Sequence, residues 1–557
     1  MKLHRILFSG CWICLLLVGC SEQFVPDNPS DANSVPVNAA LSISFNMEGE
    51  DGVQTRAAGG DEFATEGERN ISSLTVMLVD VNNGTEDFSK RDYITVLGSL
   101  ISNNTLTVEM ETSSGPKHVY IGANLSPRQI ENFYNTEGID ALAGNYEEAM
   151  SRVLTFQAPA AEGLYAPATD IRMIGQAETN DASATTEIPF PSQTGTGTTT
   201  NIAPLKATLR RVVAKVLLTC TTQKRNDGTQ DSKYAVVDDT NSGSPDYPGW
   251  IDLNDIWFVL TNANRKYYMR QRITGGKVID PNYPLGDYLI RNTYGSYAPN
   301  AIHPENFISY GSSELTIPQQ GGSIPFSTST KRMRALEYDV ARMPKGSSSN
   351  KYTEGLYCLE NTIKNDLNDL SSSEKLTVPA MASTRLIVAA RYMPKYIHHK
   401  MDGIDDVQPK EYDYTDAESL LKARTGTDQD DNTVNYPDGT FFWYNYKNDL
   451  AGYYTYEAMQ WMITNGKATR KSFIDYVGGW GFYETYITGK NENGQIQFVK
   501  EFGEEGGIER NQYYLLNVSK FSTPGQTNVT RKGEILVNSV RTDWKNVGQS
   551  NVNIKPQ

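Results

Sequence analysis

Along most of the chain, apolar residues recur at every second position, the period of half-buried strands rather than of helices. At 40–47 the residues Leu41, Ile43, Phe45 and Met47 alternate with small polar ones. From 71 to 81, Leu74, Val76 and Leu78 interleave with Met77 and Val79, so both faces are apolar and the strand is expected to lie inside a sheet. Further strands are predicted at 93–97, 105–110, 118–124, 171–176 and 186–190. The period changes in one segment, 126–154. There Ile130, Phe133 and Tyr134, then Tyr146, Met150, Val153 and Leu154, recur at three and four. This predicts two short helices broken by Gly138 and Gly144, the first opened by Ser126 and Pro127.

A low-complexity stretch at 191–200 precedes a strand predicted over 207–219. Later strands are expected at 255–260, 266–271, 385–392, 440–446, 476–487, 513–518 and 534–544, whereas 273–380 is weakly periodic and rich in turn residues. The pattern predicts two all-β domains, sandwiches rather than barrels, with 57–203 forming the first and 204–557 the second.

The first residues follow another logic. Lys2, His4 and Arg5 precede an apolar run at 6–19, too short to span a bilayer, which ends Leu17-Val18-Gly19-Cys20. Residues 1–19 therefore read as a lipoprotein signal peptide, with Cys20 taking the lipid (diacylglycerol and palmitate). Cys11 and Cys14 leave with that peptide, so their spacing is no redox motif. Residues 20–56 read as a lipidated tether followed by the strand at 40–47. Cys220 and Cys358 remain, and two buried free thiols are expected of them.

Composition narrows the function. The chain has 557 residues, 32 of them Tyr, and a formal net charge of −15, the wrong sign for a duplex nucleic-acid partner. Zincin, nucleophile-elbow, phosphate-loop and dinucleotide patterns are absent from the sequence. His398 and His399 would point to opposite faces of a strand, and read as exposed loop residues. Asp428, Asp430 and Asn432 open like a calcium loop, but Thr433 and Gly439 stand where the turn glycine and bidentate glutamate belong. Asp402, Asp405 and Asp406 could be cast as a glycosidase pair, as chance would allow in so acidic a chain. No cofactor, metal site or enzyme activity is therefore expected. Phe441, Phe442, Trp443, Tyr444, Tyr446, Tyr453, Tyr454, Tyr456 and Trp461, and again Trp480, Phe482, Tyr483 and Tyr486, crowd two regions. They read either as core or as platforms for sugar rings.

Several segments, in order, resemble the fimbrillins of Bacteroidales, the major fimbrial subunit family, and most closely the main subunit of the minor (short) fimbria. They are His118–Leu125, ending in Asn124 before the helical part; Arg211–Val216; Asp255–Leu260 with the following Arg265–Arg270; Arg385–Lys395; Arg510-Asn511 with Tyr514, Leu516 and Val518; and Val540–Lys545. The resemblance implies two transthyretin-like β-sandwich domains and a lipoprotein precursor carried to the outer membrane and cell surface. It also implies cutting by an Arg-specific protease between the first two strands. Taken locally, Arg56 in Gln54-Thr55-Arg56-Ala57-Ala58-Gly59-Gly60 is an ordinary loop arginine. The resemblance makes Arg56–Ala57 the processing bond, with Arg69 as its rival.

Cutting there would free the strand bearing Leu41, Ile43, Phe45 and Met47 and leave a groove that a strand of another subunit could fill. The resemblance makes the C-terminal segment the donor, with Val547, Val552 and Ile554 as its apolar candidates. The expected partners are other copies of the chain, other fimbrial subunits, the membrane through the lipid, the protease, and receptors on host or bacterial surfaces. Two alternatives stand beside this stalk-subunit reading: a fimbrial tip or anchor adhesin, and a surface glycan-binding lipoprotein of a polysaccharide-uptake system.

Overall fold

The computed structural model describes residues 35–47, 70–101, 104–135, 142–145, 170–192, 198–220, 234–237, 249–274, 384–487 apart from 402, 404 and 445–449, then 507–521 and 535–543, together with short pieces between 277 and 362. Its elements are overwhelmingly strands, as the alternation predicts.

The first half supplies β1 (Pro36–Met47), β2 (Ser73–Asn82), β3 (Thr85–Leu97), β4 (Thr105–Ser113), β5 (Gly115–Ala123), helix α1 (Pro127–Asn135), β6 (Leu142–Asn145), β7 (Met173–Thr179), β8 (Ile188–Phe190), β9 (Thr199–Asn201) and β10 (Leu205–Arg211). The sheet runs β3-β2-β5-β7-β10-β1-β4, with β8 on β5 and β9 on β1. Its two ends share one core: Leu41, Ile43 and Phe45 of β1 and Leu106 and Val108 of β4 pack with Leu74 and Val76 of β2 and Val119 and Ile121 of β5. This is a sandwich built on alternate positions of each strand.

The first strand starts four residues earlier than the predicted 40, so Val37 and Ala39 join its buried face. The third is much longer than 93–97. Asn83 and Gly84, at φ 51° and 76°, form a tight hairpin turn that starts it at Thr85. The two apolar faces of β2 are explained by a second core, in which Met77, Val79 and Tyr120 meet Ile130, Phe133 and Tyr134 of α1 and Tyr267, Met269 and Leu359. The cap expected at Ser126 forms: Gln129 donates its backbone N–H to Ser126 Oγ at 3.3 Å, and Ser126 N–H donates to Gln129 Oε1 at 2.9 Å. The second helix predicted in this region, at 146–154, lies outside the described residues.

The strand predicted over 207–219 is in fact two strands. β10 hydrogen-bonds to β1 and β7, and after Val212 the chain enters β11 (Val213–Cys220) in a different sheet. β10 alternates buried and exposed positions and β11 is buried on both faces, but only Val212 separates them and no Gly or Pro marks the crossing. The first sheet therefore extends to Arg211, beyond the boundary read at 204.

β11 lies between Leu356–Leu359 and Gln512–Phe521, the latter paired with Ile535–Asp543. A second sheet joins β12 (Tyr234–Val237), β13 (Gly249–Thr261), Arg385–Pro394 and Trp480–Tyr486. The two sheets share a core that includes Val216, Leu218, Phe258, Val388, Tyr392, Tyr514 and Leu516. The strand expected at 476–487 is broken at Gly478 and Gly479, whose φ values of 64° and 76° only glycine adopts readily.

Between two paired strands, Arg385–Pro394 and Trp480–Tyr486, the chain makes a third sheet: Val407–Glu411, Tyr396–Lys400, Gly452–Tyr454, Phe441–Tyr444 and Phe473–Tyr476. Helix Tyr456–Thr464 packs on it through Met459 and Met462. Of the aromatics read as core or sugar platforms, Phe441, Phe442, Trp443, Tyr444, Tyr453, Tyr454, Trp461, Trp480, Phe482 and Tyr483 are core. Phe441 stacks on Tyr476 at 4.8 Å, Tyr453 lies 4.7 Å from Trp443, and all four are buried. The two histidines are not exposed loop residues. Both sit in the strand Tyr396–Lys400, and His398 is buried, its ring stacked 4.3 Å from Tyr454. Burial holds His398 down, to about 4. Asp428 is a turn residue whose Oδ1 accepts from the backbone of Asp430 and Asn432 at 2.8 and 2.9 Å. Cys358 is a buried free thiol, which burial pushes well up.

Candidate functional site

The site the sequence points to is the slot of β1. This strand is enclosed on both edges. It pairs antiparallel with β4 from Pro36↔Ser113 to Ser44↔Thr105, and parallel with β10 from Ile43↔Leu205 to Met47↔Leu209. β9 extends the second side at Asn38↔Thr199 to Ala40↔Asn201. Ile202 N–H donates to Ala40 O and Phe45 N–H to Asn104 O, both at 2.9 Å. Ser44 Oγ donates to Leu205 O at 3.1 Å.

Inward, Val37, Ala39, Leu41, Ile43 and Phe45 are at most 3% exposed. Met47 is only partly buried, so the buried face is Val37 to Phe45 rather than Leu41 to Met47. Its four large side chains, at about 1.5–3 kcal/mol each, give about 6–12 kcal/mol of burial that the vacant slot would lack. Met47 Sδ accepts from Arg211 Nη2 at 3.4 Å, so the strand ends beside the point where the chain leaves the first sheet.

β1 and β2 are consecutive in the chain but far apart in the sheet order. The described strands that hold β1 are β4, β9 and β10, none of them the strand that follows it in the chain. If the chain were cut between β1 and β2, loss of β1 would expose the facing edges of β10 and β4. Arg56 and Ala57 lie in that connection, outside the described residues. So do Cys20 and the proposed donor residues Val547, Val552 and Ile554.

Two residues of the sequence motifs pin the frame around this slot. Asn124, at φ 59°, ends β5; its Oδ1 accepts from Ser72 N–H at 2.8 Å and its Nδ2 donates to Asn70 O and Ile171 O at 2.8 and 3.0 Å. Asn511, at φ 58°, accepts from Arg211 N–H at 3.2 Å and donates its own N–H to Val213 O at 2.8 Å. Asparagine is one of the few non-glycine residues that tolerates this backbone. Sequence reading missed Glu360, the buried partner of Arg510, because it lies in a short strand region without periodicity. Arg510 Nε donates to Glu360 Oε2 at 2.9 Å, while its Nη1 and Nη2 reach Met269 O and Tyr268 O at 3.0 and 2.8 Å.

The first sandwich is thus closed by its first described strand, held between β4 and β10. Residues 39–208, which run from within β1 to within β10, match the major fimbrial subunit protein (FimA) family. Over this segment, about three tenths of its length, the chain is similar to the fimbrillin family that its sequence resembles. No curated protein matches it by sequence. Among solved structures it is similar to a fimbrilin of Porphyromonas gingivalis, with 15% identity, a TM-score of 0.35, and coverage of 92% of this chain and 99% of that one. It is also similar to the tip fimbrial protein Mfa3 of the same organism, with 9% identity, a TM-score of 0.31, and coverage of 91% and 100%. A fimbrial assembly protein of Parabacteroides distasonis is a further similar structure, with 13% identity, a TM-score of 0.25, and coverage of 72% and 99%. No helix among the described residues is long and apolar enough to cross a membrane.

Proposed function

We propose that this protein is a stalk subunit of a cell-surface fimbria that polymerises by donor-strand exchange, a structural protein rather than an enzyme. In this reading the precursor is lipidated at Cys20 and reaches the outer membrane. Cleavage at Arg56–Ala57 releases β1, and the C-terminal segment of another copy takes its place. Two transthyretin-like domains divide at Val212, where the chain passes from one sheet to another. The observation that carries the proposal is β1 itself. It is the first described strand, lies between β10 and β4, and does not pair with β2, the strand that follows it in the chain.

Arg56→Ala is expected to stop conversion to high-mass species, and N-terminal sequencing of assembled wild-type material should begin at Ala57. Full ladders from Arg56→Ala, or a mature start at Asn70, would overturn the assignment of the bond. Cys20→Ala should abolish labelling by an alkyne fatty acid and leave unprocessed precursor. Labelling at the wild-type level would sink the lipoprotein step.

A further inference from the structure

The first sheet ends on β4 at one side and on β3 at the other, and the two edges are guarded differently. On β4, Glu109 and Glu111 stand exposed, alternating with buried Val108 and Met110. Charges on an edge strand discourage other strands from pairing with it. Among the described residues, β2 is the only partner strand of β3. The middle of β3 carries Lys90, Arg91 and Asp92, but Tyr93–Leu97 holds no charge. Tyr93 is 40% exposed, Leu97 65%, and Leu100, just beyond the strand, 69%.

The backbone of this stretch has a fixed phase. Gly98 N–H donates to Ser72 O at 2.9 Å, with Leu97 opposite Ser73 and Ile94 opposite Val76. Antiparallel pairs alternate between hydrogen-bonded and open ones. Ile94 and Val96 therefore bond to β2, while Tyr93, Thr95 and Leu97 turn N–H and C=O toward the outer edge. The side chains divide in the same way. Ile94 and Val96 pack on the first core, and exposed Tyr93, Thr95 and Leu97 lie on the other face.

We infer that Tyr93–Leu97 pairs antiparallel with the same strand of a second copy, about a two-fold axis at Thr95. An axis normal to the sheet preserves its faces, so Tyr93 meets Leu97, Ile94 meets Val96, and Thr95 meets its own copy. Aromatic–aliphatic and Thr–Thr pairs across strands are favourable, and Ile94 and Val96 continue the core over the junction. Centring one residue earlier would set Asp92 against Val96 and Arg91 against Leu97. Centring one residue later would leave only Thr95–Leu97 of the strand to pair. The stretch is thus its own complement, which favours a second copy over a foreign strand. Its interface is smaller than that of a stable dimer and gains strength where many copies lie side by side. The pairing leaves β1 in place and needs no cleavage, so it stands apart from the donor-strand reading.

The test is disulfide trapping on the uncleaved chain under mild oxidation. Thr95→Cys puts two thiols at the axis, within the span a disulfide bridges, and should give a covalent dimer on non-reducing gels. Thr107→Cys, at an exposed position on the β4 edge, should give no more dimer than the wild type. Sedimentation equilibrium follows the unlinked association. Tyr93→Lys combined with Leu97→Lys sets like charges opposite each other and should weaken it about tenfold. Tyr93→Glu combined with Leu97→Glu should do the same, and mixing the two double variants should restore it. Leu97→Lys alone, at a largely exposed position, should also weaken association and serves if a double variant fails to fold. Equal trapping at Thr95 and Thr107, unchanged association in the lysine variants, or no recovery in the mixture would overturn the inference.

Discussion

Deletion of Val547–Gln557 is expected to leave the subunit folded and abolish the ladder of high-mass species on unboiled gels after Arg-specific cleavage. A strand leaving the slot exposes two backbone edges and the places of Val37, Leu41, Ile43 and Phe45. In the proposed mechanism, the segment that follows Asp543, the last residue of the final described strand, would fill the slot of a neighbour. Strand side chains alternate, so Val552 and Ile554 share a face with Gly548 and Ser550, whereas Val547 points the other way. With Ser550 against the place of Ala39, Val552 and Ile554 fall on Leu41 and Ile43 in the direction of β1. Val552→Asp and Ile554→Asp should therefore weaken assembly strongly, because a carboxylate would be buried unpaired, while Val547→Asp should matter less. The measurement is the ladder intensity after trypsin activation. A full ladder from the truncated protein would remove the C-terminal donor from the mechanism. A Val547→Asp defect as large as that of Ile554→Asp would reverse the register.

Glu360→Ala is expected to destabilise the second half by about 3–5 kcal/mol, the cost of leaving a buried charge without its partner. Arg510 and Glu360 are both nearly inaccessible, and the guanidinium also ties down the backbone at Tyr268 and Met269. Gln271 Nε2 donates to Glu360 Oε1 at 2.5 Å, so the same substitution also removes a tie on the segment after Met269. Urea titration followed by Trp fluorescence measures the effect. A midpoint within error of the wild type would show that Arg510 finds another partner. The double variant Glu360→Leu with Arg510→Met should recover much of the loss, since it removes both charges.

The alternation of Leu41, Ile43 and Phe45 determined that β1 is a strand with one buried face, because a period of two leaves no other face to bury. The same argument fixed β2, β4, β5 and the strand Arg385–Pro394 close to their observed limits. Local chemistry also sufficed at Ser126-Pro127, where the cap lies next to the residues it serves. The Asn83-Gly84 turn was missed in the sequence, and the pairing of Asn82 with Thr85 shows that it starts β3. What the tertiary structure alone decided is partnership. Periodicity states that a strand is buried and is silent about which strands flank it, so the passage from β10 to β11 at Val212 was invisible in a run of strand-forming residues that no Gly or Pro interrupts. The same limit applies to the aromatics of Phe441–Tyr444 and to His398, which look alike in sequence whether a helix and a third sheet cover them or solvent does. It applies again to the slot. The sequence determined that β1 carries the apolar face. Only the sheet order shows it enclosed by β4 and β10, which makes it a strand whose exchange would reopen and reseal a sandwich.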